Sequence, residues 1–236
     1  NGHKWFTTGA AMASFLLIMA RSNPDVPTHK GATIFLAPIK SPGIELVRLV
    51  PVMGDDAAGG HGEIKFHDLR VPHSAILGKE GEGFALTQAR LGPARLTHCM
   101  RWTGIAQRAL EIATEYATKR EAFGKTLSEH QSMQWMLADS QIELHAARLM
   151  VQQAAWLIDQ GSQARTETSM AKVFVAETVN RVIDRAIQIC GGMGISRDLP
   201  LSEWYEAARA FRIYDGASEV HRMVIARSVI KAYGVQ

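Results

Sequence analysis

The sequence predicts an α+β protein in which a β-sheet or half-barrel segment precedes an antiparallel four-helix bundle. Up to about residue 78, short apolar runs alternate with turns rich in Pro, Gly and Asn, which is typical of antiparallel strands. From about residue 79 onward, apolar residues recur every three or four positions, which is typical of amphipathic helices. We therefore expect two domains, with residues 1–78 forming part of a β-domain and residues 79–236 forming the helical bundle.

Four strands are expected in the first domain. Residues 14–20, 32–37 and 44–50 are short apolar runs bounded by turn signals such as S-N-P-D-V-P-T-H-K-G and Ser41-Pro42-Gly43. Residues 63–71 alternate as E-I-K-F-H-D-L-R-V, with one slip of the period that predicts a bulge.

Long helices are expected in the second domain, over residues 84–120, 133–158, 166–190 and 217–233. Pro93 should kink or divide the first of them, and Gly161 is a plausible stop for the second.

Composition excludes several classes of function. The chain has 236 residues, 47% of them hydrophobic, and a net charge of +3 from scattered residues, which does not predict a nucleic-acid surface. It contains no run of about 18 apolar residues that would span a membrane. Its two cysteines indicate no disulfide framework and favour a reducing compartment. Nine histidines occur without an H-E-x-x-H or C-x-x-C motif, so no metal site is expected.

Asp215 is the candidate general base. It lies in R-I-Y-D-G-A-S-E-V-H-R, on a short turn between two helical stretches, with Tyr214 and Gly216 on either side. An N-cap role is the alternative for such an acid. Upstream, Q-I-C-G-G-M-G has glycines at which a backbone can approach a phosphate or a neighbouring helix, although most such clusters are turns.

Two further segments have residue types suited to a ligand. Arg120 and Phe123 in K-R-E-A-F-G offer a phosphate clamp beside an apolar wall, or simply a basic helix C-terminus. The N-terminal N-G-H-K-W-F-T-T-G combines aromatic rings with hydroxyls that could stack on a planar ring system, or form an aromatic plug at a strand end.

Together these motifs resemble the acyl-CoA dehydrogenases, a family of flavoproteins, over the whole chain. The matches are N-G-x-K-x-[WF]-x-T at residues 1–8, R-x-x-F-G at 120–124 followed by His130-Gln131, Q-x-x-G-G-x-G at 188–194 and I-Y-[ED]-G-x-S at 213–218. The resemblance implies that an N-terminal helical domain and the earlier part of the β-domain belong to the complete protein.

The resemblance also implies an activity, the α,β-dehydrogenation of an acyl-CoA thioester to the trans-2-enoyl-CoA. A carboxylate removes the α-proton, flavin N5 of FAD accepts hydride from the β-carbon, and donors on the thioester oxygen stabilise the enolate. Asp215 is then the base, and its backbone N–H is one of those donors. The implied FAD ligands are Phe6, Thr8, Arg120, Phe123 and Gln131, with Gln188, Gly191 and Gly192 reaching the FAD of a neighbouring subunit. The implied substrate contacts are Arg95, Tyr214 and Gly216.

Further expectations follow from the same resemblance. FAD shared across an interface requires a homodimer or homotetramer, and electron-transferring flavoprotein is the expected electron acceptor. The mitochondrion, the peroxisome and the bacterial cytoplasm all remain open as locations.

The sequence also departs from the family pattern. Asp215 stands where most members have Glu, Ala217 and Glu219 replace a Thr and a Gln, and the loop at residues 54–62 lacks M-G-x-R-x-S-x-T. These features, with G-P-A-R-L-T-H-C-M-R at residues 92–101, resemble the subgroup of family members ten and eleven. Because nitroalkane oxidases share the fold and also have Asp as base, a nitroalkane oxidase is one alternative. A non-catalytic flavin-fold interaction subunit is the other.

Overall fold

The computed structural model describes residues 1–54 and 57–234. It confirms the predicted α+β class, with small antiparallel sheets followed by helices. The chain forms two compact units, residues 1–90 and 91–236. The domain boundary predicted after residue 78 stays a prediction. Asp55 and Asp56, which belong to the atypical 54–62 loop, lie outside the described residues.

Six strands of the first unit form two three-stranded sheets with the orders β1-β5-β4 and β2-β3-β6. Every strand pair in them is antiparallel. Ile64 and Phe66 point into a small core that Ala10 and Leu16 complete. The strands are β1 (Gly2–Thr8), β2 (Phe15–Arg21), β3 (Ala32–Pro38), β4 (Ile44–Leu49), β5 (His61–Phe66) and β6 (Ile76–Leu77).

The strand expected at residues 63–71 is wrong at its C-terminal end, because β5 stops at Phe66. Asp68 adopts a left-handed backbone conformation with φ 46°, which no strand continues through. The Asn1 side chain holds this turn, since its Oδ1 accepts the Asp68 backbone N–H at 2.7 Å and its Nδ2 donates to Asp68 Oδ1 at 2.8 Å. The slip in the period of residues 63–71 predicted a bulge. The irregularities that the structure shows are register shifts in the pairings of β5 with β1 and with β4.

Within the described residues, the helical unit has four long helices, as predicted, and two shorter ones that the periodicity did not reveal. Helix α1 is continuous through Pro93, so the proline does not divide it. Gly161 follows α2 with φ 83°, which confirms it as the stop. The helices are α1 (Gly83–Lys119), α2 (Gln131–Asp159), α3 (Arg165–Cys190), the single turn α4 (Gly192–Ile195), the unpredicted α5 (Leu201–Phe211) and α6 (Ser218–Ala232), with a β7 (Glu121–Ala122) and β8 (Lys125–Thr126) hairpin between α1 and α2.

Helix α3 is the centre of the bundle and packs against α2, α5 and α6. Its inner side chains are apolar or small, and Val175, Val179 and Ile183 are fully buried. One charged side chain, Lys172, is fully buried among them. This burial has consequences for the candidate site. None of the described helices is both long and apolar enough to cross a membrane.

Candidate functional site

The turn between α5 and α6 presents Asp215 in a strained conformation. Its φ is 54°, in the left-handed region that costs most residues energy but that Asp tolerates better than most. Gly216 follows with φ 104°, and a Cβ there would lie 2.7 Å from His221 Nε2. The Ser218 N–H donates to Arg212 O at 3.0 Å and closes the turn. A strained non-glycine residue held in this way is typical of a functional position.

The Lys172 side chain of α3 donates hydrogen bonds to backbone carbonyls of this turn. Its Nζ donates to Phe211 O at 2.6 Å and to Gly216 O at 3.3 Å, and it lies 4.3 Å from the centre of the Phe211 ring. Burial lowers the pKa of Lys172 to about 8. The lysine therefore bonds to the backbone on both sides of Asp215, which fixes where the carboxylate stands.

Two other side chains bond to the backbone carbonyl of Asp215. Arg95 Nε of α1 donates to it at 2.8 Å, and His221 Nε2 of α6 lies 3.4 Å from it. Burial lowers the pKa of both groups, and Asp215 opposes that shift for Arg95. Arg95, expected from the sequence as a substrate contact, thus donates to the main chain of Asp215, the candidate base.

The Asp215 carboxylate is mostly buried, with 19% of its side chain exposed. Its Oδ2 lies 3.0 Å from His98 Nε2, yet the two atoms do not meet hydrogen-bond geometry, and Oδ2 has no hydrogen-bond partner among the described residues. The sequence analysis did not single out His98 as a residue of this site. The available signal was its position three residues after Arg95, on the same face of α1.

The Tyr214 ring packs against His98 and Phe211, at centroid distances of 5.2 Å and 5.5 Å. Its hydroxyl accepts hydrogen bonds from Trp102 Nε1 at 2.6 Å and Arg101 Nη2 at 3.3 Å, and burial raises its pKa. The second unit therefore places Arg95 against the turn that holds Tyr214, Asp215 and Gly216, and their roles in a common site stay a prediction.

Phe6 and Thr8 lie in the first unit, on β1, where a groove of about 360 Å³ opens between β1 and β2. The Phe6 side chain is exposed despite its apolar character. The Thr8 hydroxyl lies 3.0 Å from His61 Nδ1. The groove combines an exposed ring with polar groups, which suits a planar aromatic ligand.

Arg120, Phe123 and Gln131 follow the end of α1. Arg120 lines a groove of about 780 Å³ with Tyr116 and Trp204, and its side chain has no ion-pair partner among the described residues. Phe123 is 97% exposed at the tip of the β7–β8 hairpin, with φ 53°. Gln131 is the exposed first residue of α2. A cation without an ion-pair partner among the described residues, next to a hairpin that carries an exposed ring, suits an anionic aromatic ligand.

Gln188, Gly191 and Gly192 form the exposed end of α3. Gly191 ends the helix with φ 56°, and no atom lies within 4 Å of a Cβ built at Gly191 or Gly192. A ligand can therefore approach this backbone closely. Within the described part of the chain, no cluster of three or more His, Cys, Asp or Glu could hold a metal ion.

Two family profiles match the chain. One is described as acyl-CoA dehydrogenase, C-terminal domain, and matches residues 81–230. The other is described as acyl-CoA dehydrogenase, middle domain, and matches residues 1–69.

Curated relatives have the same description. FadE2 of Mycobacterium tuberculosis, named a probable acyl-CoA dehydrogenase, is 45% identical over 232 residues, which cover 97% of this chain and 57% of that protein. Acyl-CoA dehydrogenase family member 10 of Mus musculus is 41% identical over 236 residues, which cover 98% of this chain and 22% of that protein. The chain thus spans little more than half of one relative and less than a quarter of the other.

Solved structures share the fold. An acyl-CoA dehydrogenase from Geobacillus kaustophilus superposes with a TM-score of 0.90 at 29% identity, covering 97% of this chain and 60% of that one. A structure described as PigA with FAD and proline superposes with a TM-score of 0.92 at 30% identity, covering 97% of this chain and 59% of that one.

Proposed function

The chain belongs to the acyl-CoA dehydrogenase family, and from this premise we propose that its protein converts an acyl-CoA thioester to the trans-2-enoyl-CoA. In this reaction Asp215 removes the α-proton. The family match supports the reaction class, and the geometry of the α5–α6 turn supports the choice of base.

The observation that carries the proposal is the state of the Asp215 carboxylate. Its Oδ2 is buried without a hydrogen-bond partner among the described residues, on a strained turn that Lys172 and Arg95 hold at the backbone. The side-chain oxygens of an N-cap residue accept hydrogen bonds from the first N–H groups of the helix. None of the α6 N–H groups bonds to the Asp215 side chain. A buried carboxylate that caps no helix is available to accept a substrate proton.

The same turn offers a donor for the developing enolate. The Asp215 N–H finds no acceptor among the described residues, so it is available to the thioester oxygen. A backbone donor held by a rigid turn costs no reorganisation when charge develops on that oxygen.

The residues present fit FAD. The β1–β2 groove with Phe6 and Thr8 suits the flavin ring, while Arg120, Phe123 and Gln131 suit the pyrophosphate and adenosine. We assign Gln188, Gly191 and Gly192, at the open end of α3, to the FAD of a neighbouring subunit. When bound, FAD supplies the acceptor for the hydride that leaves the β-carbon.

The proposal includes partners. FAD held by residues of two subunits requires a homodimer or a homotetramer. We further propose electron-transferring flavoprotein as the electron acceptor. The Arg95 and Tyr214 side chains, beside the base, and the Gly216 backbone are the proposed substrate contacts.

A nitroalkane oxidase is the second candidate, and Asp at position 215 is the observation that favours it. Asp is one methylene shorter than the usual Glu, so it reaches less far toward an acyl-CoA α-carbon. Oxygen consumption with nitroalkanes in air separates this candidate from a dehydrogenase.

The test is an anaerobic titration of the full-length protein and its Asp215→Asn variant with acyl-CoAs, following flavin absorbance. Asn also tolerates the left-handed conformation, so the turn should survive. We expect wild type to bleach and the variant to keep its flavin with reduction at least 100-fold slower, as for loss of a general base. Reduction of the variant at a near-normal rate would remove Asp215 as the base.

A further inference from the structure

The His98 side chain stands directly against the proposed base. Its Nε2 is 3.0 Å from Asp215 Oδ2, and the two side chains are 25% and 19% exposed, so little water screens them. We propose that His98 is a positioning residue that donates its Nε2–H to the Asp215 carboxylate and stabilises the charged base. This inference rests on the proposed function, because it assigns His98 a role toward the base of that reaction.

The contact between Arg101 and His98 determines which imidazole nitrogen carries the proton. Arg101 Nη2 lies 3.1 Å from His98 Nδ1. A guanidinium has donors and no acceptor, so Nδ1 must accept this hydrogen bond. The proton of the neutral ring is then on Nε2, which is the atom that faces Asp215. Arg101 therefore selects the tautomer that can donate to the carboxylate.

Aromatic neighbours hold the orientation of the His98 ring. Tyr214 contacts it edge to face at a centroid distance of 5.2 Å, and Phe211 contacts it at 6.4 Å. Arg101 Nη2 also donates to the Tyr214 hydroxyl, at 3.3 Å, so one cation fixes both rings. This packing allows the imidazole a small tilt and prevents a large rotation of the side chain.

The His98 Nε2–H still has to align with Asp215 Oδ2 for the hydrogen bond to form. The two atoms are within reach but fall short of hydrogen-bond geometry, and Oδ2 is otherwise without a partner among the described residues. Catalytic hydrogen bonds are often poorly aligned in the free enzyme and tighten in the substrate complex. A small tilt of the imidazole completes the bond and satisfies the buried oxygen. The Asp carboxylate is then kept charged until it takes the α-proton.

Other ionisable groups surround the pair and contribute to its pH dependence. On α1, α3, the turn and α6 they are Arg95, Cys99, Arg101, Lys172, Tyr214 and His221. None of these is changed in the test below, so a shift between variants reports the His98 contact.

The test compares His98→Phe with His98→Gln in the full-length protein. Phe keeps a ring against Tyr214 and Phe211 but has no N–H, and the partly exposed position has room for it. Gln keeps a donor at similar reach. We measure the limiting rate of flavin reduction by a saturating acyl-CoA from pH 5 to pH 9, with flavin content and thermal stability as checks on folding.

We expect the acidic limb of the pH–rate profile to move upward by about one unit in His98→Phe, which is about tenfold in rate on that limb. His98→Gln should stay within about twofold of wild type, because the carboxylate keeps a donor. His98→Ala repeats the test without a ring to accommodate. An acidic limb unmoved in both His98→Phe and His98→Ala, or moved equally in His98→Gln, would overturn the inference.

The matched control is His145→Phe, because His145 is an exposed histidine on α2. It should leave the profile unchanged. Failure of this inference is distinct from failure of the proposed function. If acyl-CoA reduces the wild-type flavin and Asp215→Asn abolishes reduction while the His98 variants match wild type, only the role of His98 is lost.

Discussion

At the scale of single residues, Asp215 illustrates how a site is held by groups that do no chemistry. Its backbone is strained, with φ 54°, and hydrogen bonds from Arg95 and Lys172 to carbonyls of the turn keep it there. The Phe211 and Gly216 carbonyls would lose their donor without Lys172. A buried lysine is costly because burial removes its charge from water, and this one is retained at the base of the turn.

Lys172 should make stability depend on pH. Its pKa is about 8 in the folded protein and 10.5 for an unperturbed lysine, so between these pH values the unfolded chain binds more protons. Stability from this group is therefore fully present above pH 10.5 and is lost as pH falls through 8, by about 3 kcal/mol. We expect the unfolding free energy of wild type minus that of Lys172→Met to increase from pH 7.5 to pH 10. A difference that stays constant over this pH range would contradict the conclusion that burial lowers the pKa of Lys172.

At the scale of elements, the hydrophobic periodicity of the sequence predicted the helix faces and helix ends that depend only on local sequence. The inner face of α2, with Leu144, Ala147 and Val151, repeats at helical spacing, and Gly161 marks its end. The end of β5 was mispredicted because it depends on the Asn1 side chain, which is distant in sequence. The same limit applies to the site. The motifs singled out Asp215, whereas the contacts of His98 and Lys172 join separate helices. The local sequence around Lys172 carries no signal for its contacts, and the signal for His98 is limited to its position on the Arg95 face of α1.

The end of α3 allows an element-level test with a built-in control. A Cβ at Gly194 would lie 2.4 Å from Ile187 O, while a Cβ at Gly192 would meet nothing within 4 Å. Gly194→Ala must therefore displace α4 against α3, at a cost of about 2 kcal/mol, typical of overpacking. Thermal unfolding of the flavin-free protein, in which the proposed FAD contact of Gly192 plays no part, should show a fall of several degrees for Gly194→Ala and almost none for Gly192→Ala. Equal melting temperatures for the two variants would show that the close approach is not tight.

At the scale of the whole molecule, α2 presents an apolar ridge outward. Trp135, Ile142, Leu149 and Trp156 are all more than half exposed and recur every seven residues. They extend over roughly 30 Å of helix, at the rise of 1.5 Å per residue. A seven-residue repeat suits a second helix of the same kind. We propose that a second copy of the chain covers the ridge, as an isologous interface requires only one surface.

Two charges on the ridge should therefore weaken assembly. We expect the Ile142→Glu and Leu149→Glu double variant of the full-length protein to sediment as a smaller species than wild type. The control is Gln141→Glu with Gln152→Glu, which adds the same charge to exposed positions roughly 100° around the helix from Ile142 and roughly 60° from Leu149. An unchanged sedimentation coefficient for the ridge variant would place the subunit interface elsewhere.

The decisive experiment on the proposed reaction is an anaerobic titration of the full-length protein with a panel of saturated acyl-CoAs. We expect a yellow protein whose flavin absorbance bleaches on addition of acyl-CoA, and a bound flavin that stays oxidised in Asp215→Asn. Bleaching across chain lengths would also rank the substrates. A yellow wild-type protein that no acyl-CoA bleaches would contradict the claim in favour of nitroalkane oxidation, and a protein without flavin would contradict it in favour of a non-catalytic subunit.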